Sequence, residues 1–225
     1  MLETDDAKTD SSWLESTQAR FEAANDPLVL QTRALLNRIV PDASLHGRFL
    51  NTLSMLEHMG SCKIVATQHG ESIDQATLKH VAEEAHHAYF MKRQAEKTAA
   101  RPLEFRAADL LAPAAARMYF QRLEAGLVRA LGRNSVRSTY LYMSLIVEFR
   151  ALWFYHLYQQ VLTRFRSALS LKRVLGEEQN HLSEVAQRLY AGGERSEARV
   201  ETFLRLEGLL YMRLLGALQR SLSAA

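Results

Sequence analysis

One five-residue pattern occurs twice in this chain and restricts what it can fold into: Glu83-Glu84-Ala85-His86-His87 aligns position by position with Glu177-Glu178-Gln179-Asn180-His181. In each copy a Glu-x-x-His pair sets a carboxylate and an imidazole on adjacent turns of one helix face. The face of Glu84 also carries Val81, Ala88 and Met91, and the face of Glu178 carries Leu171, Val174, Leu175, Leu182, Val185 and Leu189. Both pairs therefore point into apolar surroundings, where a carboxylate requires a compensating charge. Register selects Glu84 with His87 over Glu83 with His86, because the shifted choice would pair Glu177 with Asn180.

Two further acids sit where a solvated acid does not belong. Glu57 falls among Leu50, Leu53, Ser54, Ser61 and Ile64, and Glu148 interrupts the run Leu145-Ile146-Val147-Glu148-Phe149. A dimetal site in a bundle core uses one lone Glu from each of two helices and a Glu-x-x-His from each of two others. Each lone glutamate precedes its Glu-x-x-His partner by about one long helix, a short loop and a return, so all four can reach one bundle height. The predicted metal ligands are Glu57, Glu84, His87, Glu148, Glu178 and His181. Four carboxylates and two imidazoles around two divalent ions make a neutral core site, and four bare carboxylates would not. The single cysteine, Cys62, excludes a thiolate-rich zinc or iron–sulfur site, and it reads as an ordinary buried thiol.

The 225 residues are 48% hydrophobic with only four prolines and ten glycines, so one all-α domain over residues 12–225 is expected, behind a disordered tail at 1–11. Short helices at 12–24 and 27–39 form a cap or brace, and Pro41 forces a break. Core helices are predicted at about 44–68 (closed by His69-Gly70), 73–99, 135–164 and 167–190. A long crossover at 103–131 contains a helix, and a last amphipathic helix covers 196–221. Tyr140 to Val161 is the most apolar stretch, but it carries Glu148, Arg150 and His156 and reads as a buried core helix, not a membrane span. The start of the chain has no apolar signal region, so a cytoplasmic location is expected. A net charge of +3 from scattered Arg and Lys, without a basic block, argues against a nucleic-acid partner.

The order Glu, Glu-x-x-His, Glu, Glu-x-x-His across residues 44–190 resembles the ferritin-like di-iron carboxylate superfamily. The gap between His87 and Glu148 is closer to its oxygen-activating oxidases and oxygenases than to ferritins. Ile146-Val147-Glu148-Phe149-Arg150-Ala151 and Gly176-Glu177-Glu178-Gln179-Asn180-His181 are similar in flavour to aldehyde-deformylating oxygenases. The resemblance implies a ferritin-like four-helix bundle with a long crossover and accessory helices at both termini. It also implies two iron (or manganese) ions, O2 as co-substrate, an external electron donor and a small organic substrate, which the apolar lining makes hydrophobic or aromatic. Glu83 and Glu177 match positions where relatives carry a carboxylate that orients a ligating histidine. His80, one turn before Glu84, is a candidate seventh ligand by analogy with N-oxygenating relatives, or else a hydrogen-bonded neighbour of the site.

Other residues are assigned more ordinary roles. His86 is expected away from the metals, and His46, His58, His69 and His156 at the surface or around the site. Tyr89, Tyr140, Tyr142 and Tyr155 read as core filler or, for one of them, a redox-active tyrosine. Ser54, Gly60, Ser61, Ser144 and Ala151 leave volume near Glu57 and Glu148, for a substrate channel or for close helix packing. Two other functions share the fold: a ferroxidase of an iron-storage cage, and a metal-free helical scaffold that binds partners through its last helix. A homodimer through a helical face is the expected assembly, whereas an iron-storage cage would be a many-subunit shell.

Overall fold

The structure, a computed structural model, describes residues 3–68, 73–133 and 135–223, with the side chains of 3–11 left aside. Among them are seven α-helices and no strand: α1 (Glu3–Ile39), α2 (Ala43–Ala66), α3 (Gln75–Ala99), α4 (Pro113–Leu131), α5 (Val136–Arg164), α6 (Lys172–Ala191) and α7 (Glu197–Ser223). The fold is all-α. Helix α2 packs along α3 and α5 along α6, giving two hairpins, and α4 crosses between them against α5 and α7.

Local chemistry sets the ends of the helices that matter here. Asp42 caps α2 by accepting from the Leu45 N–H at 2.9 Å, and Asp74 caps α3 by accepting from the Thr77 N–H at 2.7 Å. Helix α5 stops where Arg166 turns left-handed (φ 52°), so that the Ser167 N–H donates to the Leu162 carbonyl and the Arg166 N–H to that of Thr163. The fourth core helix thus begins at Lys172, later than the expected 167. Gly193 (φ 64°) ends α6 by the same device, with Glu194 N–H on the Leu189 carbonyl.

The N-terminal expectation needs correction. Residues 12–39 form one uninterrupted helix with Pro27 inside it, and the backbone is helical from Glu3, where a tail through residue 11 was expected. Met1 and Leu2 of that tail, and the His69-Gly70 stop signal, lie outside the described residues. A proline inside a helix costs about 3 kcal/mol. Burial of Phe21, Leu28, Leu35, Leu36 and Ile39 on the same helix outweighs that cost at about 1.5–3 kcal/mol per large side chain. Helix α5 is covered on nearly every face, with Leu141, Leu145, Ile146, Phe149, Leu152 and Leu162 all buried. No helix among the described residues is long and apolar enough to cross a membrane.

Candidate metal centre

The two hairpins bring the six predicted residues to one place. Glu57 comes from α2, Glu84 and His87 from α3, Glu148 from α5, and Glu178 and His181 from α6. Two overlapping groups form, with donor atoms in each within 4.8 Å of one another: Glu57, Glu84, His87 and Glu178 in one, and His80, Glu84, Glu148 and His181 in the other. Glu84 belongs to both. Glu84, His87, Glu148, Glu178 and His181 are buried, and Glu57 is half-buried at the edge of a cavity.

His80 enters the second group as a full member. Its Nε2 lies 3.5 Å from Glu84 Oε1 and 3.3 Å from Glu148 Oε1, while its Nδ1 shares a 3.0 Å hydrogen bond with the Tyr140 hydroxyl. Its ring centroid is 4.3 Å from that of His181. The two groups therefore differ in donor set: three carboxylates and one imidazole on one side, two of each on the other.

Both motif histidines present Nδ1 to the cluster and Nε2 to an outer carboxylate. His181 Nδ1 lies 3.2 Å from Glu178 and 3.7 Å from Glu148, and its Nε2 is 2.8 Å from Glu83. His87 Nδ1 lies 3.4 Å from Glu178, and its Nε2 is 2.9 Å from Glu177. The outer pairs cross between helices: Glu83 of α3 serves the histidine of α6, and Glu177 of α6 serves the histidine of α3. Each of these outer carboxylates thus meets the histidine nitrogen that faces away from the cluster.

Electrostatics describe a cluster that holds protons when it holds no cation. Burial first, then the neighbouring carboxylates, pushes Glu57 and Glu148 well above the usual carboxylate range. Burial also works against charge on Glu178, yet the hydrogen bond with His181 and the adjacent His87 imidazole bring it below its ordinary value. For His87, burial opposes the charged form, but Glu178 and the other acids carry it up to about 10; His181 is raised against the same opposition. Protons on imidazoles and carboxylates thus supply the compensating charge that divalent cations would supply.

The residues fit a metal pair on two structural grounds. His87 Nδ1 is buried with no hydrogen-bond partner while aimed at the acids, an orphan a cation would satisfy. Gly60 leaves room beside Glu84, because a Cβ there would lie 3.1 Å from Glu84 Oε2.

Two cavities flank the cluster. One, of about 50 Å³, lies on the His80 side between Gly60, Ser144, Tyr140 and Glu148, with the Lys63–Glu124 ion pair in its wall. The other, of about 100 Å³, opens from Glu57 and Tyr155 past Ala151 and Phe154 toward Arg150 and α7. Ser54 and Ser61 do not line either one. Their hydroxyls donate to the Ala88 and Val81 carbonyls, so these small residues serve close packing of α2 on α3.

Several sequence readings need adjustment. Cys62 is exposed, not buried, with Sγ 3.8 Å from His58 Nε2. His46 is fully inside, 2.5 Å from the Tyr158 hydroxyl and remote from solvent. His86, His58 and His156 are exposed as expected. Tyr155 donates to Glu57, which sequence periodicity did not single out. Glu207 on α7 is a further buried acid outside the predicted set, although it lies among Phe203, Leu210, Tyr211 and Leu214 at helical spacing, the same signal that marks Glu148.

What fold and site together define is an all-helical, bundle-like protein with buried His/Glu clusters able to hold metal. No family model, no curated protein and no solved structure matches this chain.

Proposed function

We propose that this protein is an O2-activating, non-haem di-iron oxidase or oxygenase of the ferritin-like kind, acting on a small, largely hydrophobic organic substrate. The observation that carries the reading is the pair of four-residue groups sharing Glu84, buried between two helical hairpins beside an apolar cavity. Glu57, Glu84, His87 and Glu178 would hold one ion, and His80, Glu84, Glu148 and His181 the other. Manganese suits the same donors.

When bound, the metal pair supplies the redox chemistry toward O2 and the substrate. The chain's own residues do the rest. Glu83 and Glu177 hold the His181 and His87 rings with Nδ1 inward. Tyr155 donates to Glu57 and fixes that carboxylate at the cavity wall. Phe49, Leu53, Leu56, Phe120 and Phe154 exclude water from the space next to it. Electrons come from an external donor.

The test is anaerobic loading with Fe(II), metal analysis, then rapid mixing with O2. Two iron ions per chain, a transient absorption band and O2 uptake are expected. A chain that takes up iron and gives neither the band nor O2 consumption would refute the reading.

A further inference from the structure

Three histidines face the cluster, and one of them is turned the other way round. His87 and His181 present Nδ1 to the acids and set Nε2 against an outer carboxylate, whereas His80 presents Nε2 and turns Nδ1 outward. Its place in the chain accounts for the reversal. His80 sits one turn before Glu84 on α3, about 6 Å along the helix axis, so its ring reaches the acids through Nε2, the nitrogen farther from the backbone. The outer partner differs as well: the Tyr140 hydroxyl, 3.0 Å from His80 Nδ1, stands where the His87 and His181 rings have Glu177 and Glu83.

Tyr140 is buried and is held in turn. The Arg188 guanidinium of α6 lies 5.4 Å from the Tyr140 ring centre, and it donates to the Thr77 hydroxyl and to Asp74 Oδ2 at 3.0 Å each. Asp74 caps the first turn of α3 at Thr77, so residues of α3, α5 and α6 converge behind the His80 ring. On the other side there is space, because His80 and Tyr140 both line the cavity of about 50 Å³ beside Gly60 and Ser144. Packing there leaves the imidazole room to swing, and the hydroxyl is what fixes it.

We propose that Tyr140 is a positioning residue for the metal centre: it holds His80 with Nε2 turned to Glu84 and Glu148, so that His80 ligates through the nitrogen opposite to the one His87 and His181 use. This role rests on the metal-binding part of the reading above and not on its O2 chemistry. With Nε2 on a cation, His80 Nδ1 carries the ring hydrogen and donates it to the Tyr140 oxygen, which fixes both the tautomer and the ring plane. A neutral hydroxyl is a weaker acceptor than a carboxylate, so His80 depends on its partner for direction more than for added basicity.

The experiment uses the full chain loaded with Zn(II), which is diamagnetic and redox-inert, with isotope-labelled histidine and long-range proton–nitrogen spectra that distinguish the two nitrogens of each ring. His80 signals are identified by their loss in His80→Gln. In the fully loaded chain, His87 and His181 are expected to be bound through Nδ1 and His80 through Nε2. Tyr140→Phe keeps the ring and removes only its oxygen. One zinc ion should then bind about tenfold more weakly and the His80 nitrogens should lose their fixed pattern, while the His87 signals and the helical content stay at those of the parent chain. Arg188→Gln, which frees the Tyr140 ring from behind, should weaken the same ion by less, and it keeps the test open if Tyr140→Phe does not fold. The proposal is overturned if His80 in the loaded parent chain is bound through Nδ1 or is free of metal, if both variants leave the zinc affinities unchanged, or if they weaken both ions alike. A chain that takes up no zinc would sink the metal centre along with this role, whereas the expected spectra from a chain that proves inert to O2 when loaded with iron would sink the oxidase reading alone.

Discussion

Glu83 and His181 come from different hairpins, yet Oε2 of one lies 2.8 Å from Nε2 of the other, and Glu177 makes the reciprocal 2.9 Å contact with His87. Each motif therefore orients the histidine of its twin. An outer carboxylate that fixes an imidazole is worth about 10- to 100-fold in metal affinity. Glu83→Ala and Glu177→Ala should each weaken metal binding by that order, measured by competition with a chelator. The two effects should fall on different ions, visible as separate phases of a Co(II) titration; loss of a single common phase in both variants would contradict the crossed arrangement.

His80 contacts both Glu84 and Glu148 and belongs to only one of the two groups. His80→Ala should weaken one ion of the pair and leave the other, so that metal analysis at limiting concentration falls from two per chain toward one. Unchanged stoichiometry together with an unchanged Co(II) spectrum would remove His80 from the site.

Gly60 separates two effects that usually go together. Gly60→Ala should stabilise α2 in the metal-free chain by about 0.5–1 kcal/mol through helix propensity. The new Cβ, 3.1 Å from Glu84 Oε2, forces that carboxylate to move by a few tenths of an ångström. Urea unfolding in chelator should show the gain, and chelator competition should show weaker metal binding. A gain in both would mean the Glu84 carboxylate is not confined.

Acid stability has a contribution remote from the metals. Burial against Tyr158 lowers His46 to about 4 from its ordinary 6.5. The unfolded chain then binds this proton more readily than the folded one, so the contribution is complete above pH 6.5 and is lost as pH falls toward 4. Its size is on the order of 3 kcal/mol. In chelator, the difference between parent and His46→Gln unfolding free energies should shrink steadily over that interval; a constant difference would show that His46 does not titrate there.

The Arg150–Glu207 pair is a second buried charge system. Glu207→Ala strands Arg150 and should cost about 3–5 kcal/mol, whereas Arg150→Met with Glu207→Leu should come within about 1–2 kcal/mol of the parent chain. Denaturant unfolding of the single and double variants checks this. Additive losses would mean that the pair is not coupled.

Helical periodicity is a local property, and what depended on it could be read directly from the chain. The spacing of Glu84 and His87 on an apolar face, its repetition at Glu178 and His181, and the isolation of Glu57 and Glu148 among hydrophobic neighbours predicted which side chains turn inward. The choice of His87 over His86 followed from register alone, and His87 is buried where His86 is exposed. The charged residues inside the apolar stretch Tyr140 to Val161 marked it as a core helix, not a membrane span.

Contacts between distant segments are set by how faces dock, and there the sequence was silent or misleading. The sequence reading divides this region into helices at 12–24 and 27–39, but packing of both halves on the same core keeps α1 continuous through Pro27. The exchange of Glu83 and Glu177 between hairpins, the Tyr155–Glu57 contact and the pairing of Arg150 with Glu207 all join residues whose separation along the chain carries no distance information. The sequence by itself determined that Glu84, His87, Glu148, Glu178 and His181 would be buried, because burial follows from one helix face at a time. Only the tertiary structure decided which carboxylate faces which imidazole, and that an apolar cavity lies beside them, because those depend on the angles and heights at which four helices pack.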